Sequence, residues 1–311
     1  MKKALVLGGN GFIGSHLTDA LTQSNIAVRV FSRGHLNDFA KAEDHPLIER
    51  IEGDFIHEGD VARALDGCDV CFHLVSTTLP KSSNDDPAFD VQTNIGGTIK
   101  LLNHAVKSGV KKIVFLSSGG TVYGVPQHTP IDELHATNPI CSYGITKLAI
   151  EKYLELYRTL HGLEFTILRL SNPYGERQRL IATQGAVAVF LNKVLNNQPI
   201  EIWGDGSVIR DYIYIRDVTT AMLKAMDYQG TNRLFNIGAG EGKSLNQLID
   251  AIESATGLSA TRLYKESRAF DVPTSILCIK KAQEELGWTP KTSFEEGLAR
   301  TVKWIRASLM P

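Results

Sequence analysis

The 311-residue chain carries 43% hydrophobic and 22% charged residues, with 33 Lys and Arg against 34 Asp and Glu for a formal net charge of −1. That length suffices for one large domain or two ordinary ones with a well-buried core, and the composition is that of a globular protein. Balanced charge removes the electrostatic case for a nucleic-acid or anionic-membrane partner, and no apolar run approaches the roughly 18 residues of a membrane span.

The first residues, MKKALVLGGNGF, set two lysines before four apolar residues and then glycines. A secretory core needs roughly 7–15 apolar residues, so this stretch predicts a strand rather than a signal peptide, and a cytoplasmic protein is expected. Further along, short apolar runs predict strands at Lys3–Leu7, Ala27–Ser32, Ile48–Gly53, Val70–Val75, Lys112–Ser117 and Phe165–Leu170. Amphipathic patterns between them predict helices at Ile13–Ser24, Asp60–Leu65, Ile95–Ser108 and Tyr143–His161. Continuous apolar strands alternating with helices imply a parallel sheet covered on both faces, a Rossmann-type doubly wound α/β fold with ligands at the carboxyl ends of its strands. After Pro173 the rhythm breaks into longer polar loops and short elements such as Gln198–Gly206, Phe235–Gly240 and Arg268–Pro273. The expected organisation is a dinucleotide-binding domain over 1–175 and a smaller α/β substrate-binding lobe over 176–311, parts of which return to the first domain. Cys68 and Cys71 form a C-x-x-C, but no second pair or His-rich partner accompanies it, and Cys71 lies in the apolar run DVCFHLV. Core packing at a strand entrance is expected there, with no metal site.

The strand Ala4–Leu7 runs into Gly8-Gly9-Asn10-Gly11-Phe12-Ile13-Gly14, and a helical pattern follows at once. Glycines at 8, 11 and 14 allow a tight turn and close approach to a pyrophosphate, while a helix N-terminus offers unpaired N–H donors and a favourable dipole. The spacing G-x-x-G-x-x-G, read here as G-x-x-G-F-I-G, resembles the extended short-chain dehydrogenase/reductase family, the branch that modifies sugar nucleotides. The resemblance implies that Gly8, Gly11, Phe12, Ile13 and Gly14 hold NAD or NADP and that Asp54, after Gly53, contacts the adenine. Members that prefer NAD usually end the second strand with an acidic residue that grips the ribose, whereas this chain has Ser32-Arg33. A hydroxyl followed by an arginine suits a 2′-phosphate, while the plainer reading lays Arg33 on the adenine or in solvent. NAD and NADP both stay open.

Tyr143 and Lys147 stand four apart at the start of the predicted helix Tyr143–His161, so they share one face. A phenol with a pKa near about 10 is a poor base at neutral pH, and a nearby cation is expected to favour its phenolate. This Y-x-x-x-K resembles the family's catalytic pair, in which Tyr143 would exchange a proton with a sugar hydroxyl and Lys147 would also hold the nicotinamide ribose. The preceding strand ends in Ser117-Ser118-Gly119-Gly120-Thr121-Val122-Tyr123-Gly124, and the family's catalytic hydroxyl aligns with Gly119. That departure leaves Ser118 and Thr121 as candidates, with Thr121 favoured for the substrate contact. Sugar-nucleotide dehydratases place Asp-Glu where this chain has Gly120-Thr121, so dehydration is not expected.

Three later segments also resemble the family. In Ser171-Asn172-Pro173-Tyr174-Gly175 the resemblance implies that Asn172 touches substrate and Pro173 borders the nicotinamide. In Gly204-Asp205-Gly206-Ser207-Val208-Ile209-Arg210-Asp211-Tyr212 it assigns Arg210 to the substrate diphosphate, and in Arg268-x-x-Asp271 it assigns Arg268 to phosphate and Asp271 to ribose. The implied function is 4-epimerisation of a UDP- or dTDP-sugar by transient oxidation at C4. An NAD(P)H-dependent 4-ketoreductase of a deoxysugar nucleotide is the first alternative, and a non-catalytic dinucleotide-binding module is the second. A homodimer paired through Ile95–Ser108 and Tyr143–His161 is expected from the family habit.

Overall fold

The computed structural model describes residues 2–34, 45–180, 185–267 and 272–309. Its centre is a seven-stranded sheet, every pair of which is parallel. In chain order the strands are β1 (Lys3–Leu7), β2 (Ala27–Ser32), β3 (Ile48–Glu52), β4 (Val70–His73), β5 (Lys112–Ser118) and β6 (Glu164–Leu170), with Leu234–Ile237 as the seventh. The seventh strand pairs with β6, and the order across the sheet is then β6-β5-β4-β1-β2-β3. β1 is therefore flanked by β4 and β2, and the order reverses there, opening a crevice at its carboxyl end.

Why the apolar runs became buried strands is plain from β1. Ala4 and Val6 pack on one side of the sheet with Leu17, Leu21 and Met222, whereas Leu5 and Leu7 pack on the other with Phe31, Leu101 and Leu102. Alternate side chains of a strand point to opposite faces, so two covered faces demand an unbroken apolar sequence. Each of the larger side chains contributes about 1.5–3 kcal/mol by burial. Helices Phe12–Gln23 and Ile215–Asp227 pack together on one face. Glu58–Leu65, Gly96–Lys107 and Ser142–His161 cover the other.

Two sequence readings are corrected. Phe235–Gly240 reads as a scattered late element, yet Leu234–Ile237 completes the central sheet, because its register against β6 is settled by contacts far away in sequence. The predicted strand Val70–Val75 stops at His73, and Leu74 and Val75 turn instead to line the crevice.

The smaller elements gather around short sheets. Asn172–Tyr174 pairs with Tyr212–Tyr214, and Ile200–Trp203 pairs with Arg262–Lys265, both in parallel. Among the described residues no helix is long and apolar enough to cross a membrane.

Candidate active site

At the carboxyl end of β1 the chain turns at Gly8, whose φ of 84° suits glycine. A Cβ at Gly14 would lie 2.2 Å from the Gly8 carbonyl oxygen and 2.7 Å from Gly9 Cα, so only glycine lets the helix sit this close to the turn. Helix Phe12–Gln23 starts at Gly11 with no side-chain cap and no acidic residue in its first turn, leaving its donors and positive dipole end for an anion. Phe12 and Ile13, half-buried, pack on the core and fix that end of the helix.

The adjoining cleft, about 570 Å³, is lined by Gly8, Gly11, Ser32, Arg33, Asp54 and Thr77 among others. At its far end Asn10 Nδ2 donates to Ser32 Oγ at 2.5 Å, and Arg50 Nη1 donates to Asn10 Oδ1 at 3.4 Å. Arg179 lines the same cleft. Glycine turn, uncapped helix and the lining cations Arg33 and Arg179 together fit a nicotinamide dinucleotide, with pyrophosphate on the turn.

β5 and helix Ser142–His161 bring the catalytic candidates together. Thr121 follows the turn closed by Ser118, whose carbonyl accepts from Val122 N at 3.2 Å. A Cβ at Gly144 would lie 2.7 Å from the Thr121 carbonyl oxygen, so glycine beside Tyr143 admits the Thr121 loop against the helix start. Thr121 Oγ1 is buried without a hydrogen-bond partner, a donor held for something the chain itself does not supply. Ser117, in contrast, points inward and donates to Glu151 Oε1 at 2.5 Å. At Gly119 a Cβ would meet Leu277 Cδ1 at 2.5 Å, so the family's usual hydroxyl residue would require Leu277 to shift.

Lys147 is buried, and its Nζ donates to the Leu116 carbonyl at 3.0 Å. The ammonium lies 4.8 Å from the Phe115 ring centre and 5.5 Å from that of Tyr143. Burial pulls its pKa down to about 8, against the opposing pull of Asp90 and Glu151. Burial pushes the Tyr143 phenol well above its ordinary value. Burial thus disfavours the charged form of each member of the dyad, and the Lys147 ammonium stands beside the Tyr143 ring, where its charge favours a phenolate. Glu151, one turn beyond Lys147, pairs with Arg169 of β6 at 2.6 Å in the core. His73, at the end of β4, is held neutral by burial with a pKa of about 3, and its Nε2 bonds Thr98 Oγ1 at 2.9 Å.

A family model described as "NAD dependent epimerase/dehydratase family" matches residues 4–238, spanning the glycine turn, the dyad helix and the Arg210 strand. The chain belongs to this family. A UDP-glucose 4-epimerase from Thermotoga maritima, solved with UDP-glucose, is 39% identical with a TM-score of 0.92 over 99% of both chains. One from Thermus thermophilus, solved with NAD, is 30% identical with a TM-score of 0.90 over 99% of this chain and 100% of that one. An Escherichia coli dTDP-4-dehydro-6-deoxyglucose reductase is 34% identical over 97% of each chain.

A second cleft, about 390 Å³, adjoins strand Asn172–Tyr174. The register Asn172↔Tyr212 sets Asn172 beside the Arg210 segment, and Asn172, Pro173, Arg210, Tyr212 and Trp203 all line it. Arg210 Nη1 donates to the Val272 carbonyl at 2.7 Å. Arg268 and Asp271 lie outside the described residues. Sequence reasoning missed Trp203 and Tyr212. The alternation Ile200-Glu201-Ile202-Trp203, with both isoleucines buried, is the signal that turns the indole outward, and the buried Tyr212 hydroxyl has no partner. No local pattern announces Asp90, Glu151 or His73, whose roles come from packing.

Proposed function

We propose that this protein is a nucleotide-diphosphate-sugar 4-epimerase that keeps NAD bound and acts on a UDP- or dTDP-hexose. The observation that carries the reading is the Lys147 ammonium 5.5 Å from the Tyr143 ring, at a helix start against which the loop of the unpartnered Thr121 packs, within a chain so similar to UDP-glucose 4-epimerases. Gly8, Gly11, Phe12, Ile13, Gly14, Ser32, Arg33 and Asp54 would hold the dinucleotide, with Pro173 beside the nicotinamide. When bound, NAD would supply reversible hydride transfer at the sugar's C4 and, in its oxidised form, a positive charge. Tyr143 exchanges the proton of the sugar's 4-oxygen, and Thr121 hydrogen-bonds that oxygen. Ser118 supports the Thr121 turn, while Lys147 supplies positive charge behind the phenol. Asn172 and Arg210, with Arg268 and Asp271, would hold the nucleotide diphosphate.

We also place the boundary between dinucleotide-binding domain and substrate lobe near residue 175. The free thiols of Cys68, Cys71, Cys141 and Cys278 suit the cytoplasm. A homodimer fits the outer stripe of the dyad helix, where Ile145, Leu156 and Leu160 are 53%, 44% and 62% exposed.

The test is direct. Protein purified without added cofactor should carry NAD by mass spectrometry and interconvert a UDP-hexose with its C4 epimer. Recovery of cofactor-free protein that consumes NADPH stoichiometrically with a 4-keto sugar nucleotide would establish the ketoreductase instead.

A further inference from the structure

Behind the dyad helix lies a fully buried carboxylate. Asp90 closes the short helix Pro87–Asp90, where the chain passes through a π-helical turn at Val91–Ile95 into helix Gly96–Lys107. Such turns insert an extra residue into a helix and recur at functional sites. Asp90 Oδ2 accepts from Ser142 Oγ at 2.7 Å and from Thr146 Oγ1 at 2.6 Å, while Oδ1 accepts from Asn94 Nδ2 at 2.8 Å and from Thr78 Oγ1. Ser142 and Thr146 immediately precede Tyr143 and Lys147, so one carboxylate grips the chain beside each member of the dyad. Asn94 also accepts, through Oδ1, from the backbone N–H of Thr77, which lines the dinucleotide cleft. The same anion thus ties the cofactor's wall to the catalytic helix.

That helix is not anchored by its own cap. Cys141 makes no capping hydrogen bond; Asn84 Oδ1 and Ser83 Oγ accept instead from the backbone N–H groups of Ser142 and Tyr143, at 2.9 and 3.0 Å. A neutral side chain would serve for packing alone. What only a carboxylate provides is a fixed negative charge one residue from both Tyr143 and Lys147. Burial would push Asp90 up, but the hydrogen bonds from Thr146, Thr78, Ser142 and Asn94 together hold it below its ordinary value, hence ionised.

We propose that Asp90 is the positioning residue of the Tyr143–Lys147 dyad, fixing the start of its helix through Ser142 and Thr146 and setting the field in which both groups act; this rests on the catalytic reading given above. Around the pair, Glu151 is engaged by Arg169, His73 is neutral, and the Cys141 thiol is pushed up by burial. Lys81, Asp85, Asp86, Lys100 and Lys107 on the packed helices are exposed, and His104 is paired with Glu58. Among the described residues, Asp90 is therefore a buried anion bonded to the neighbours of both members of the dyad.

The experiment compares Asp90→Asn, the double variant Ser142→Ala/Thr146→Val and Tyr143→Phe with wild type, as cofactor-loaded enzymes, in kcat, KM, bound NAD and the pH profile of kcat. Asp90→Asn should keep NAD and nearly unchanged KM, while kcat falls about 10²-fold because the dyad is displaced. Its alkaline limb should move down by about one pH unit, since Lys147 loses the neighbouring anion. The double variant should lose turnover with its alkaline limb in place, because at alkaline pH the carboxylate, still bonded by Thr78 and Asn94, stays ionised. Wild-type turnover in Asp90→Asn, or lost turnover with an unmoved limb, overturns the proposal while an inactive Tyr143→Phe leaves the dyad standing. A fully active Tyr143→Phe overturns the dyad reading itself. Should Asp90→Asn not fold, wild-type turnover in the double variant overturns the proposal.

Discussion

Ser32 ends β2 with a hydroxyl already engaged by Asn10, and Arg33 follows it at the mouth of the cleft. The Arg33 guanidinium is a donor fork for a 2′-phosphate, set against the Glu52 carboxylate that pairs across from Ser32 and reaches Gly34. Arg33→Ala should weaken NADPH about tenfold or more relative to NADH, as expected for a charge-assisted contact worth about 1.5–3 kcal/mol. Equal losses for both cofactors, measured by fluorescence titration, would leave Arg33 with no part in cofactor choice. Lys147 makes a second case at this scale, since function there opposes stability. Its folded pKa, about 8, lies below the 10.5 of an unfolded lysine, so the native state binds fewer protons between those values. The cost of burying the ammonium is complete below about pH 8 and gone once pH passes 10.5. Lys147→Met, compared with wild type by urea unfolding of the cofactor-free proteins, should therefore lose about 2 kcal/mol of relative stability between pH 7 and pH 10. A difference independent of pH would mean that Lys147 titrates normally.

Among the elements, the short strand pair Asn172–Tyr174 and Tyr212–Tyr214 does the work of assembly. It sets Asn172 against the Asp211 carbonyl, to which its Nδ2 donates at 2.9 Å, and thereby opens the second cleft between Arg210 and Trp203. The buried Asp211 side chain ties this strand pair to neighbouring segments, accepting from Ala239 N at 2.7 Å and Leu277 N at 3.3 Å. Because Arg210 lines the second cleft and not the dinucleotide cleft, its loss should act on the nucleotide sugar and spare the dinucleotide. Arg210→Leu is expected to weaken UDP or dTDP by about 1.5–3 kcal/mol in calorimetric titration, with NAD content unchanged. Wild-type protein that binds neither nucleotide would end the sugar-nucleotide assignment.

For the molecule as a whole, the question is what covers the outer face of helix Ser142–His161. Ile145, Leu156 and Leu160 recur there at helical spacing, and their exposure is costly for a free monomer. A second copy would cover them while stiffening the helix that carries Tyr143. Leu160→Glu should convert a dimer to monomer in sedimentation velocity and lower the melting temperature. Wild-type protein that sediments as a monomer would remove the homodimer.

Local chemistry accounts for most of what the sequence by itself determined. Six of the seven central strands, the glycine turn and the i, i+4 pairing of Tyr143 with Lys147 follow from periodicity, steric freedom at glycine and helix geometry. These are properties of neighbouring residues, and they survive without knowledge of the rest of the chain. What tertiary structure decided is non-local. It paired Leu234–Ile237 with β6, filled the space over Gly119 with Leu277, and left the Thr121 hydroxyl buried without a partner. It also set Asp90 beneath Ser142 and Thr146, fifty residues and more along the chain. The protonation of the dyad belongs with these, because desolvation depends on everything that surrounds a group and spacing carries no record of it.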